Sequence, residues 1–165
     1  MVRGEEGIAM KEEEGSLDRL AADIQMLLEE EALTVFSRKV IDEFNDPGNV
    51  GRMVGPDGFA VITGPCGDTM EFYMKVEDER IVGISFMTDG CGPTIACGSM
   101  LTRLAKGGTL EEALRITDQV LIEALDGLPP ENVHCAVLAV DTLKASITDH
   151  LSGKHEDHGL SVEKE

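Results

Sequence analysis

The chain has no tryptophan and one tyrosine, and aromatic residues make up only 4% of its 165 residues. A core with so few large rings must be filled by Leu, Ile, Val and Met, and a hydrophobic content of 42% is enough for one. Positive charge is scarce as well: 14 Lys and Arg stand against 32 Asp and Glu, a formal net charge of −18. So acidic a surface repels phosphate backbones and anionic membranes, which discounts nucleic acid and lipid as partners. It suits docking onto a basic protein, and otherwise serves as a solubilising surface. No apolar run approaches the roughly 20 residues of a membrane helix, and the first residues lack the apolar segment of a signal peptide. The expected location is the cytoplasm, where thiols stay reduced. No Cys-x-x-Cys pair occurs among the four cysteines. They are therefore read as ligands, nucleophiles or core residues rather than as disulfide partners.

What the chain does have is a patterned stretch from Pro65 to Gly92. Met70, Phe72, Met74 and Val76 alternate with Thr69, Glu71, Tyr73 and Lys75, the period of a half-buried strand. A polar turn, Glu77-Asp78-Glu79-Arg80, leads to a second strand with Val82, Ile84 and Phe86 at alternate positions. The hairpin brings Cys66 and Cys91, at its two open ends, close in space, with Asp68 beside them.

Around this hairpin the fold class reads as α+β, a small three-stranded, mainly antiparallel sheet packed against several helices, with a helical N-terminal extension. Residues 1–35 form the acidic extension, Glu-rich and expected to be disordered to about residue 15. Leu17, Leu20, Ile24, Leu27 and Leu28 then mark an amphipathic helix with Ser16 as N-cap. Such a helix packs on the domain, binds a partner or oligomerises. Residues 36–153 form the main domain. Its first helix carries Phe36, Val40, Ile41 and Phe44 on one face and stops at Pro47-Gly48. A Gly-rich loop follows, then a third strand over Phe59–Thr63. Pro93 opens a helix at its first position that runs to Gly107-Gly108. Thr109 with Glu112 forms a capping box, a helical piece spans Val120–Leu125, and a last helix runs from Val133 to Gly153. Residues 154–165 are a polar tail, whose His155 and His158 have only the composition to attract stray metal.

Cys91 lies between glycines just before a helix, and Cys135 follows His134 in the first turn of the last helix. A helix N-terminus carries unpaired N–H groups and partial positive charge, so both thiols are expected to have a lowered pKa. Thiolates joined by one imidazole or carboxylate suit Zn(II) or an iron–sulfur cluster. Cys97, roughly 240° around the helix from Cys91, reads as a small buried residue. His150 near the end of the last helix reads as a favourable dipole residue. Gly90-x-Gly92 before a helix has the look of a phosphate cradle, without the further Gly or Lys that such a loop needs.

Five stretches taken together, F-S-R-K-V-I-D-E-F-N-D-P-G-N-V-G (36–51), P-C-G-D-T-M (65–70), D-G-C-G-P-T-I-A (89–96), K-G-G-T-L-E-E-A (106–113) and L-P-P-E-N-V-H-C-A-V-L-A (128–139), resemble the iron–sulfur cluster scaffold family of the IscU and NifU N-terminal type. The resemblance implies a protein that is not an enzyme but a scaffold. It would take sulfur from a cysteine desulfurase, assemble a 2Fe–2S cluster and pass it to apo iron–sulfur client proteins, with ferredoxin and an iron-delivery protein as further partners. It implies Cys66, Cys91 and Cys135 as ligands, with Asp68 or His134 in the fourth position, Cys135 as sulfur acceptor, and Zn(II) at the same site when no cluster is present. The stretch Leu128-Pro129-Pro130-Glu131-Asn132 departs from the family's usual L-P-P-V-K, which counts against a dedicated chaperone.

Other classes fit less well. A zinc hydrolase or deaminase site would show H-x-E and C-x-x-C pairing, and a structural zinc module uses closed ligand sets with short spacing. A zinc-bound protein that transfers persulfide sulfur without ever holding a cluster is the nearest alternative.

Overall fold

The structure is a computed structural model, and it describes residues 6–153. His155, His158 and the tail expectation lie outside the described residues. The chain divides into two compact units, with the boundary after Phe36.

The first unit is a long helix, α1 (Glu6–Leu33). It begins well before Ser16, so residues 6–15, expected to be disordered, are helical, and Ser16 lies inside the helix rather than at its cap. Ala, Met, Leu, Glu and Lys, all strong helix formers, outweigh the cost of Gly15 in the interior. Leu17, Leu20, Ile24, Leu27 and Leu28 are all exposed along it.

The second unit opens with α2 (Arg38–Asn45), capped by Ser37, whose hydroxyl accepts from Val40 N at 3.1 Å. The same hydroxyl donates to the Leu125 carbonyl. Val40 and Ile41 are buried, while Phe44 is half exposed. Phe36 precedes the cap and closes a turn on Ala32, so it lies outside α2 rather than within it as the spacing predicts. The Ser37 cap sets the start of this helix at Arg38, two residues later.

Three strands follow, β1 (Gly58–Thr63), β2 (Thr69–Glu77) and β3 (Arg80–Thr88), paired antiparallel in the order β1-β2-β3. A tight turn with Asp78 and Glu79 both at positive φ joins β2 to β3. Next to it the register shifts. Lys75 faces Gly83, but Val76 faces Ile81, so Val82 has no partner. This bulge turns Ile81 into the core and leaves Val82 exposed, reversing the expected position, because one inserted residue shifts the alternation by one. Beyond the bulge Ile84 and Phe86 are buried as their spacing predicts.

Helix α3 (Gly92–Ala105) lies on β3 and beside α2. Pro93 is its second residue, after Gly92, rather than its first. Gly98 allows the close approach, since a Cβ there would stand 2.5 Å from the Phe86 ring. The short helices α4 (Leu110–Leu114), with its Thr109–Glu112 capping box, and α5 (Asp118–Ala124) lead to a single 3-10 turn at Pro130–Asn132. The last helix, α6 (Val133–Ser152), ends in a left-handed Gly153 and packs on β1 and β2. Near its end His150 Nδ1 lies 3.0 Å from the Asp57 carbonyl, a specific bond where a dipole role was expected. Met70, Phe72, Met74 and Phe86 from the sheet, Leu101 from α3, and Leu143 and Ile147 from α6 form the core.

The other face of the sheet carries a smaller cluster. Phe59 and Tyr73 pack with ring centroids 4.8 Å apart. The Tyr73 hydroxyl donates to Glu71, and Arg52 donates to the same carboxylate from Nε and Nη2, each at 3.2 Å.

Candidate metal and cluster site

Four segments meet at one end of the sheet. The first is the β1–β2 turn. Gly64 N donates to Asp68 O at 2.8 Å and Gly67 N to Gly64 O at 3.0 Å, closing a three-residue loop of Pro65, Cys66 and Gly67. Pro65 supplies the fixed φ that such a turn starts with, and Gly67, at φ +85°, supplies the left-handed residue that ends it. Cys66 is therefore held at the tip, exposed, on a constrained backbone.

The second and third segments are the start of β2 and the end of β3, clasped by two bonds and braced by a third within the β3 end. Thr69 N donates to Asp89 Oδ1 at 2.7 Å, Thr88 Oγ1 donates to Thr69 O at 2.7 Å, and Gly90 N donates to Thr88 Oγ1 at 3.1 Å. The clasp fixes Asp68 relative to Cys91, which is the N-cap of α3. The Cys91 thiol makes no capping bond and is exposed. The fourth segment is the first turn of α6, with His134 and the buried Cys135.

All five residues singled out from the sequence are drawn together. Cys66 Sγ lies 3.1 Å from His134 Nε2, and the same nitrogen is 3.6 Å from Cys135 Sγ. The connection from Cys135 to Asp68 and Cys91 runs through Thr94, a residue that sequence reasoning missed. Its Oγ1 is 3.0 Å from Asp68 Oδ2, 3.3 Å from Cys135 Sγ and 3.6 Å from Cys91 Sγ. A threonine behind Pro93 in a helix carries no signal of this, because the contacts come from residues 26 and 41 positions away. Among the described residues, no three His, Cys, Asp or Glu side chains already stand as a closed metal cage. The donors are neighbours linked by hydrogen bonds, and a bound ion must displace some of these.

Electrostatics correct one expectation. Cys135 sits in the first turn of α6, yet its thiol is held above the usual range rather than below it. Burial is the main cause, and the nearby Cys91 and Asp68 add to it; hydrogen bonds from Thr94 and Asn132 only partly offset them. The helix terminus is outweighed because the sulfur is shut away from water. Cys97 is fully buried, as its spacing predicts. Burial pushes its thiol up strongly, and the neighbouring Cys135 and Cys91 add to the effect. It therefore lies within the electrostatic reach of the site, although no described hydrogen bond joins it to these residues.

Comparison with known proteins is consistent across sequence and fold. Residues 35–157 match the family described as NifU-like N terminal domain. An iron-sulfur cluster assembly scaffold protein IscU of Archaeoglobus fulgidus is 46% identical over 135 residues, spanning 79% of this chain and 88% of that one. The IscU scaffold protein of Escherichia coli is 42% identical over 122 residues, spanning 71% of this chain and 94% of its own. The solved structure of a nitrogen-fixing NifU-like protein (N-terminal) from Brucella abortus superposes with a TM-score of 0.58 at 18% identity, covering 71% of this chain and 94% of that one. That neighbour speaks for the fold alone. The sequence matches carry the assignment: the chain belongs to the NifU-like N-terminal domain family.

Proposed function

We propose that this protein is a scaffold on which an iron–sulfur cluster is assembled and from which it is handed on. The observation that carries this reading is the convergence of Cys66, Asp68, Cys91, His134 and Cys135 at one end of the sheet. Two of the thiols are exposed. A resident structural metal calls for a closed site. Cargo calls for soft donors within reach of one another and an open side.

The cluster is cargo here. Cys66, Cys91 and Cys135 are its thiolate ligands, and Asp68 or His134 completes the set. One carboxylate or imidazole among thiolates makes a weaker set than four cysteines, which favours release. The cluster is of the 2Fe–2S type, and Zn(II) takes the same donors in its absence. Sulfur arrives from a cysteine desulfurase. A thiolate of the scaffold attacks the outer sulfur of the donor's persulfide; that S–S bond breaks, a new one forms, and the donor leaves as a thiol. Cys135 is the acceptor, and its burial means that its contacts to Thr94 and His134 must part first. Reduction of the bound persulfide to sulfide takes two electrons, supplied by a ferredoxin-type donor, while an iron-delivery protein brings the metal. Apo iron–sulfur proteins receive the product. Glu131 and Asn132 replace the Val and Lys usual in the family's proline-bearing turn, which counts against a dedicated chaperone. Among the described residues no helix is long and apolar enough to cross a membrane, consistent with work in the cytoplasm. Residues 1–35 are an extension to a scaffold domain of residues 36–153, and residues 154–165 are a tail.

Anaerobic incubation with iron, cysteine and a desulfurase tests this reading. The expected result is a visible cluster spectrum that is lost in Cys66→Ala, Cys91→Ala and Cys135→Ala and moves to an added apo-ferredoxin. Zinc held tightly with no cluster forming under any condition would overturn it in favour of a persulfide carrier or a structural zinc module.

A further inference from the structure

We propose that Thr94 is a positioning residue for cargo loading, its hydroxyl holding the Asp68 carboxylate and the Cys135 sulfur in place beside Cys91. The proposal rests on the reading of this cluster of donors as a metal site.

Thr94 is fully buried, and its side chain has little choice of orientation. A β-branched residue in a helix keeps few χ1 rotamers. Here Gly90 lies close against the methyl, since a Cβ placed on it would stand 2.6 Å from Thr94 Cγ2 and 2.7 Å from its Cβ. A helical threonine commonly turns its hydroxyl back to a carbonyl of the preceding turn. Thr142 does so, donating to Leu138 O at 2.7 Å. Thr94 instead reaches out of its helix to Asp68, 3.0 Å away, and to Cys135, 3.3 Å away.

The hydroxyl has one proton to give and two lone pairs. Donation to Asp68 Oδ2 restrains the carboxylate and leaves Oδ1 available to a cation. The same oxygen serves as partner for the Cys135 sulfur, so two donors from opposite sides of the site are tied to one rigid point on α3. Removing that tie leaves Asp68 on a turn and Cys135 on a separate helix, each free to take other rotamers. Partners that orient ligating carboxylates and thiolates typically change metal affinity by about 10–100-fold.

Valine matches threonine in shape and lacks the hydroxyl, and serine keeps the hydroxyl. The test is a Co(II) titration of the full chain followed by thiolate-to-cobalt charge-transfer absorption, with thermal unfolding recorded in parallel. Thr94→Val is expected to weaken Co(II) binding by about 10–100-fold and to alter the ligand-field bands, while Thr94→Ser binds close to wild type. In an Asp68→Ala background the valine change should add much less, since coupled residues are not additive. Should the valine chain not fold, Thr94→Ala is read in the same way. Equal affinity and spectra for valine and wild type would overturn the proposal. So would serine behaving like valine, which would assign the effect to packing of the methyl. A wild-type chain that gives no charge-transfer band would fail earlier, overturning the metal-site reading itself and this proposal with it.

Discussion

Cys66 and His134 are 68 residues apart in the chain and 3.1 Å apart in space. Among the described hydrogen bonds theirs is the one that joins the tip of the β1–β2 turn to the first turn of α6. One imidazole nitrogen, Nε2, thus lies near both an exposed thiol, Cys66, and a buried one, Cys135. His134→Ala should weaken Zn(II) binding by about tenfold or more, the loss expected for a ligand or an orienting partner. Competition against a chromophoric chelator measures it. An unchanged affinity would show that the imidazole only supports the turn.

The four thiols should react in a fixed order. Cys66 and Cys91 are exposed, whereas Cys135 and Cys97 are buried with their thiols pushed up in pKa by that burial. Since the thiolate is the reactive form, iodoacetamide at neutral pH should label Cys66 and Cys91 first and Cys135 slowly. Cys97 should be labelled only on unfolding. Peptide mass spectrometry of timed samples gives the order, and early labelling of Cys97 would contradict it.

Two glycines on neighbouring segments should fail differently. Gly98→Ala puts a Cβ 2.5 Å from the buried Phe86 ring. The overpacking should cost about 1–3 kcal/mol and lower the melting temperature by several degrees. Gly90→Ala puts one 2.7 Å from Thr94 Cβ and 2.8 Å from Asp68 Oδ2. Its main effect should be on metal binding, through displacement of those two side chains. Thermal unfolding with and without Zn(II) separates the two outcomes, because only the Gly98 variant should keep the full stabilisation by zinc.

Tyr73 gives the protein an alkaline sensitivity. Burial, followed by its bond to Glu71, raises the phenol from 10.0 to about 12. Below pH 10 the group is protonated whether the chain is folded or not, and its contribution to stability is complete. As pH rises from 10 towards 12 the unfolded chain ionises first, so that contribution is lost through this window. Urea midpoints should fall more steeply between these values for wild type than for Tyr73→Phe, and parallel slopes would exclude Tyr73 as the source.

Much of this was legible in the chain because local rules decide it. The Thr109–Glu112 box, the hairpin turn and the left-handed Gly153 are each written in a few adjacent residues, and the structure forms each of them. Strand alternation was legible as far as Ile84 and failed at Val82, because a bulge adds a residue without leaving a local mark. The grouping of Cys66, Asp68 and Cys91 followed from hairpin geometry. His134 and Cys135 stood out by residue type and by their place at a helix start, but their joining the hairpin thiols in one ligand set came with the resemblance, since nothing in their own stretch says where α6 docks. Thr94 was illegible for the same reason: its partners are distant in sequence. The acidity of Cys135 was misjudged because position at a helix end is a local property, whereas burial belongs to the whole fold.

The separation of the donors also sets a schedule during synthesis. A growing chain that has emerged through α3 already shows Cys66, Asp68 and Cys91, but it lacks the partners those groups meet in the finished molecule. His134 and Cys135 come from the last helix, and that helix docks on the two strands made first. A ribosome-bound fragment therefore has only part of this grouping of side chains. On the proposed reading, cargo meets its full set of donors only once the last described helix is made.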